Sequence, residues 1–309
     1  MGIIDTISAG FSLLARRAWL ALVPALLDLF LWLGPKLSIA PLLESTIQML
    51  RGTMDTLAAG GGLDPNLADM MNSTTSMLRD TVGQTNLLSL LAWGRLGVPS
   101  IAGLRPIAPA SDVVIEIGGY GQVLLAQFGI LAAGLLIACL FLGLLAQALR
   151  DEAFELEAVL RRLPLHWAHL AAVLAPFGLF FIFAFSIAFL FGPLAVFVLV
   201  GLIWLLIYTA FFPQAVVLSD FKPLRALGAT LRIVRTNFWS TLGLLLVVNL
   251  LSTGLGLIWA RLLVRSTVTA VVAILANAYI GTGLTLSMFI FYRDRLAALS
   301  GVPSQPRSA

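Results

Sequence analysis

Asp28, Asn249 and Asn277 are the side chains of this sequence whose type and placement could do chemistry. Each lies about nine to eleven residues past the start of an apolar run. At about 1.5 Å per helical residue that is roughly 13–17 Å down, near the middle of a hydrocarbon core about 30 Å thick. An ionised carboxyl there costs about 2.5–3.5 kcal/mol on insertion scales, so it must be paired, protonated, or turned toward protein or water. Gathered into one midplane cluster, the three residues would make a proton or cation site, since intramembrane carboxyls mark ion pathways. The structural alternative makes Asp28 a hydrogen-bonded strut and the asparagines links between helices, worth about 0.6 kcal/mol each. The strut is the expectation carried forward, because only Pro24 and Pro176 hint at the helix kinks a transporter would use.

Other chemistry finds little support. His166 and His169 are the only histidines, three apart at the start of an apolar run, and a metal site would need more ligands. Cys139 is the only cysteine, which excludes an intrachain disulfide and a cysteine metal cluster. No P-loop, HExxH, GxSxG or glycine-rich dinucleotide fingerprint occurs in context. An intramembrane protease would need a second carboxyl or a Ser/His pair at depth, and Asp28 stands alone. The expectation is a protein that is not an enzyme, with no catalytic residue, no cofactor and no metal.

The elements that would position these residues are membrane spans. With 60% hydrophobic and 11% charged residues, and a mean hydropathy of +0.99, the chain carries about half the charge of a soluble domain. The predicted fold is all-α: a polytopic membrane protein with six transmembrane helices in three hairpins, each preceded by an interfacial amphipathic helix. The spans fall at about 18–34, 120–149, 168–191, 193–212, 239–260 and 266–292, within one membrane domain over 1–299. Gly34-Pro35 closes the first span and Gly192-Pro193 joins the third to the fourth. In the second, Gly129 with Ala133 and Gly134 with Ala138 give the spacing for close helix contact.

A repeated unit organises the chain: amphipathic helix, basic residues, tryptophan, span. Its clearest copy has Leu224, Leu227, Leu231, Val234 and Phe238 on one stripe, with Lys222, Arg225, Arg232 and Arg235 off it, and runs through Trp239 into an apolar stretch. The looser copies carry Arg16, Arg17 and Trp19, and Arg161, Arg162 and Trp167. These cations are the expected contacts of anionic lipid head groups, and Trp19, Trp167, Trp239 and Trp259 the expected interfacial anchors.

Residues 35–118 differ in composition. Helical spacing at Leu43, Ile47, Leu50, Met54 and Leu57, and again at Leu67, Met71, Thr74, Leu78 and Val82, predicts two amphipathic helices joined by Gly60-Gly61-Gly62. The second opens with a cap at Asp64-Pro65. Asn86 to Leu96 is a short apolar stretch expected to dip into the interface, followed by an irregular return through Pro99, Pro106 and Pro109. The tail over 300–309 is expected to be disordered. Most Lys and Arg flank the ends of apolar runs on one side, which predicts both termini in the cytoplasm and 35–118 as an extracytoplasmic helical insert. The same distribution argues against nucleic-acid binding despite the net charge of +4.

The run PQAVVLSDFKPLRALGATLRIVRTNFWSTLGLLLVV, with GFSLLARRAWLALVPALLDLFLW near the start, resembles bacterial multi-pass proteins of the glycerophosphoryl diester phosphodiesterase membrane-domain type. Pro213, Asp220, the basic Arg225 to Arg235 face and Asn237-Phe238-Trp239 carry the resemblance, which covers about sixty residues; the long insert departs from the compact members. In fused relatives the phosphodiesterase activity belongs to a separate soluble barrel, so no catalytic residue carries over. What the resemblance implies is a six-helix membrane module of unassigned role, and the expected location is the bacterial cytoplasmic (inner) membrane. The functional expectation is a non-catalytic scaffold or accessory subunit that organises membrane lipids or partner membrane-protein subunits. The alternative is a small-solute or ion translocation module built on the midplane cluster.

Overall fold

Long runs of Leu, Ala, Val and Phe leave the backbone few ways to satisfy its N–H and C=O groups away from water, and the helix is the one open to a single segment. The computed structural model describes residues 2–59, 65–82, 85–92, 98–102, 110, 111, 113–150, 155–190, 195–263 and 265–300. Among them, five helical stretches are long and apolar enough to cross a membrane. They are α5 (Tyr120–Arg150), α6 (Leu156–Leu190), α7 with α8 (Ala195–Thr209 and Phe212–Ser219), α10 (Phe238–Leu263) and α11 (Thr267–Ser300). The chain is an all-α multi-pass membrane protein. The first expected span is the short one. Ala18–Leu33 joins a 3-10 turn (Ala18–Ala21) to α2 (Leu22–Leu33), and α2 alone is about 18 Å long. It ends where Gly34 turns extended.

Burial separates centre from rim. Half of the most apolar window of α5 and 44% of that of α11 are buried, against 17% in α6 and in α10. α5 and α11 therefore form the middle of the bundle, and the others turn wide apolar faces outward to lipid. α11 packs against α1 (Ile3–Arg16), α2, α5, α8, α9 (Pro223–Thr236) and α10. Small residues let these helices approach closely. A Cβ at Gly10 would overlap Ser287 Oγ and lie 2.7 Å from the Gly283 carbonyl oxygen, while the Phe11 ring lies where a Cβ of Gly283 would be. Of the two small-residue pairs in α5, Gly134 with Ala138 is buried and Gly129 with Ala133 faces out.

Two copies of the repeated unit take the same shape. α1 and α9 are both fourteen residues long, and each ends at one residue outside the helical region, Arg17 (φ −137°, ψ 53°) and Asn237 (φ −128°, ψ 37°). Each of those N–H groups donates back to a carbonyl, of Leu14 and of Ile233. Neither helix lies free on a surface, for both dock on α11. On α9 the buried row is Ala226, Thr230, Ile233 and Val234, whereas Leu224 and Leu231 of the predicted stripe are exposed.

The third copy differs. α6 is a single helix of 35 residues with Pro164 and Pro176 inside it, so no separate surface helix precedes that span. Its first turns run along α5 instead. Gln147 Nε2 donates to the Glu155 carbonyl at 3.0 Å, and Val159 packs where Gly143 lacks a side chain. Packing along α5 carries the helix through Pro164 despite the hydrogen bond that proline removes.

The 35–118 region leaves and rejoins the bundle through a two-stranded parallel ribbon, β1 (Lys36–Ser38) on β2 (Val114–Glu116), with Leu37 opposite Ile115. Between them, α3 (Ala40–Ala59) and α4 (Pro65–Val82) are the two expected amphipathic helices. A bidentate pair from Arg79 to Glu44, at 2.8 and 2.6 Å, joins them. The guanidinium holds the Glu44 carboxyl below its ordinary value. The glycine run, Asp64, Pro106, Pro109, Gly192-Pro193 and the tail over 301–309 lie outside the described residues.

Candidate functional site

α2 buries one stripe, Pro24, Ala25, Leu27, Asp28, Leu31 and Trp32, and Asp28 sits at its centre with no exposed surface. What meets it is backbone. Residues 98–102 form a non-helical loop inside the bundle, with Val98, Ser100, Ile101 and Ala102 all buried. Pro99 occupies the space that a side chain at Gly281 of α11 would fill. Irregular backbone away from water must find partners within the protein, and Asp28 supplies them. Ser100 Oγ donates to Oδ1, and the Ile101 N–H donates to Oδ2 at 3.0 Å. A second polar hub holds the start of the same excursion. The buried Asn86 Oδ1 accepts from the Leu37 N–H at 3.0 Å and the Leu88 N–H at 3.1 Å, tying β1 to the 3-10 turn Leu87–Ala92.

The structure brings two of the three predicted midplane residues together. Asn277 faces the Asp28 carboxyl from α11, with its amide nitrogen buried and short of a well-formed hydrogen bond. Asn249 does not join them. It is exposed on α10 and accepts a bond from Thr253 Oγ1 of its own helix at 3.1 Å. The expectation of a shared cluster rested on position along the helix, and the rotation of α10 about its axis points the Asn249 amide away from the bundle. No known protein family, curated protein or solved structure matches this chain.

At the opposite, arginine-rich end, Asp220 gathers charge. It caps α8 with φ 51°, the one left-handed residue other than glycine among those described. Asp and Asn enter that region at lower cost than other residues with a side chain. The carboxylate meets Arg150 at 3.2 Å, Arg162 at 2.9 Å and His166 Nε2 at 2.8 Å. Arg150 also donates to the carbonyls of Val217 and Leu218, the last turn of α8. Ser219 and Tyr292 share a hydrogen bond of 3.1 Å that adds α11 to the node. His166 is therefore a partner of Asp220, and His169 stands apart on the same helix.

These contacts sort the cations expected to touch lipid. Arg162 is held by Asp220, Arg17 donates to the Ala148 carbonyl at 3.3 Å, and Arg225 stacks over Phe221 at 4.4 Å. The side chains of Arg16, Arg161, Lys222, Arg232 and Arg235 make no ion pair with the described residues, and all five are exposed. Arg16 also lines an open cavity of about 620 Å³ between α1, the end of α5 and α11, together with Asp5, Ser8, Ser12 and Arg293.

The expected anchors divide as well. Trp239 is 79% exposed at the start of α10 and Trp19 is 36% exposed. Trp167 donates its indole N–H to the Ala132 carbonyl at 3.1 Å, near the middle of α5, which puts the ring at mid-helix and not at a helix end. Trp259 has its indole nitrogen buried, with no hydrogen-bond partner among the described residues.

The sequence reading missed Ser100, Asn86, Arg150 and Asp220 as parts of polar sites. Asn86 had a usable signal, an asparagine opening a short apolar stretch that runs on to Pro99. Arg150 had another, as the cation that closes the apolar run of α5. Nothing local marks Ser100, because its partner lies 72 residues away.

Proposed function

We propose that this protein is a non-catalytic scaffold or accessory subunit of the bacterial cytoplasmic membrane, both termini inside, which organises anionic lipids or partner membrane-protein subunits. The observation that carries the reading is the state of Asp28. Both of its oxygens are taken by the 98–102 loop and no part of it is exposed. That is how a strut is used, whereas an ion-binding carboxylate needs an approach path from water, which the complete burial of Asp28 denies it. The arginine-rich end supports the lipid half of the reading. Lys222, Arg232 and Arg235 are exposed on the same helix as the exposed Leu224 and Leu231, so acyl chains and head-group phosphates can be met together.

The translocation reading keeps one observation in its favour, the buried Asn277 amide that faces Asp28 without a well-formed hydrogen bond among the described residues. One experiment separates the two. The full chain and its Asp28→Asn variant are reconstituted into vesicles of anionic and of zwitterionic lipid, then assayed for proton and cation flux and for co-purifying lipid by mass spectrometry. The scaffold reading expects no flux from either protein, and anionic lipid retained by the wild type but lost when Lys222, Arg232 and Arg235 are changed together to Gln. A proton- or cation-dependent flux that Asp28→Asn abolishes would overturn it.

A further inference from the structure

α10 is packed on one side and open on the other. Its open face carries, at steps of three and four, Leu246, Asn249, Leu250, Thr253 and Leu257, all exposed. Asn249 lies eleven residues after Phe238 in a helix of 26, about 16 Å along it and so near the middle of any bilayer that α10 crosses. Its carbonyl oxygen accepts from Thr253, but its amide N–H groups donate to nothing among the described residues. Acyl chains offer no acceptor at that depth, and lipid head groups are about half a bilayer away.

We infer that the Asn249 face of α10 is the contact surface for a second copy of this chain, with the two Asn249 amides hydrogen-bonded to each other across a two-fold axis normal to the membrane. A primary amide is self-complementary: it has donor and acceptor side by side, so two copies related by a two-fold exchange both bonds. Membrane topology does the rest. Two identical chains inserted the same way hold Asn249 at the same depth without adjustment, whereas a different partner would need its own polar group at that level. The flanking leucines supply the packing around the pair, and Thr253 fixes the amide's orientation through the bond it already makes. This inference does not rest on the scaffold reading.

The test uses the full chain in vesicles over a range of protein-to-lipid ratios. Cys139, buried in α5, is changed to Ala, and single cysteines are introduced as Leu250→Cys on the proposed face or Val200→Cys on the exposed side of α7. Copper-catalysed oxidation should give a covalent dimer from Leu250→Cys in clear excess over Val200→Cys. By single-molecule counting, Asn249→Leu should raise the dimer's dissociation constant about tenfold, with Asn249→Gln close to wild type. Because Asn249 is exposed, the leucine variant should unfold at the wild-type temperature when both are diluted to monomers, which separates lost pairing from lost fold. Three outcomes overturn the inference: a monomer at every ratio, equal cross-linking at positions 200 and 250, or dimerisation unchanged by Asn249→Leu. Loss of a different co-purifying protein in Asn249→Leu, with the wild type alone monomeric, would also overturn it and assign the face to that protein.

Discussion

Asp28 shows how one side chain can make an otherwise unaffordable piece of backbone possible. The Ser100 hydroxyl and the Ile101 N–H are buried, and leaving either without an acceptor costs about 1–3 kcal/mol. Replacing Asp28 by Leu removes the acceptor both of them use while keeping the volume of the site apolar, so the loss should be roughly 2–6 kcal/mol. Asp28→Asn keeps one oxygen for the Ile101 N–H and presents an NH2 group that the Ser100 oxygen can accept, so its loss should be about 1–2 kcal/mol. Denaturant unfolding in mixed micelles gives the comparison, and equal midpoints for the two variants would remove the strut. This residue also marks a boundary of sequence reading. That a carboxyl at such depth must be satisfied was legible from hydropathy alone. That its partner is a loop from the insert was not, because nothing local at residues 98–102 announces a contact with α2.

At the scale of the element, α1 and α9 were legible as separate helices and the start of α6 was misread, for a physical reason. In all three the sequence offers an amphipathic stretch, basic residues and a tryptophan. What separates a docked helix from the head of a span is the residue at the junction. Arg17 and Asn237 leave the helical region and break the chain, while Pro164, the residue that looks like a breaker, is overridden by packing along α5. The predicted stripe on α9 holds only in part: Val234 is buried and Leu227 and Phe238 pack against the core, but the small residues Ala226 and Thr230 face the bundle, where close approach rewards them, and Leu224 and Leu231 are left exposed. The α1–α11 contact gives the element-level prediction. In Gly10→Ala the new methyl would overlap Ser287 Oγ and crowd backbone atoms of Gly283 and Ser287 at 2.7 and 2.8 Å. Backbone cannot swing aside as a side chain can, so the helices must separate, at about 1–3 kcal/mol. Gly178→Ala, in α6, meets nothing within 4 Å and should be neutral or gain up to about 1 kcal/mol from helix propensity. Thermal unfolding of the two variants side by side tests this, and equal shifts would show that the close contact does not matter.

Across the whole molecule, the bundle is held at its two ends by different chemistry. One end uses buried backbone tied to Asp28 and Asn86. The other uses a half-exposed carboxylate, Asp220, shared among Arg150, Arg162 and His166, which joins α5, α6 and α8. The spans between were legible because hydropathy is additive along a helix. The two ends were not, because each assembles residues more than fifty positions apart. Asp220 does two jobs that substitution can separate. Its left-handed backbone costs a side chain without local hydrogen bonding about 1–2 kcal/mol, and each of its ion pairs, with the carboxylate 42% exposed, is worth about 0–1 kcal/mol. Glycine removes the pairs but relieves the backbone, alanine removes the pairs and keeps the backbone cost, and asparagine tolerates the backbone and retains a neutral acceptor. The expected order of stability is Asp, Asn, Gly, Ala, with alanine about 2–4 kcal/mol below wild type. Raising the salt from low ionic strength to about 1 M should narrow the gap between Asp and Asn, since exposed pairs are screened, and leave the gap between Gly and Ala unchanged, since backbone conformation is not. If Gly proved no better than Ala, the left-handed turn would carry no cost, and Asp220 would act through its charge alone.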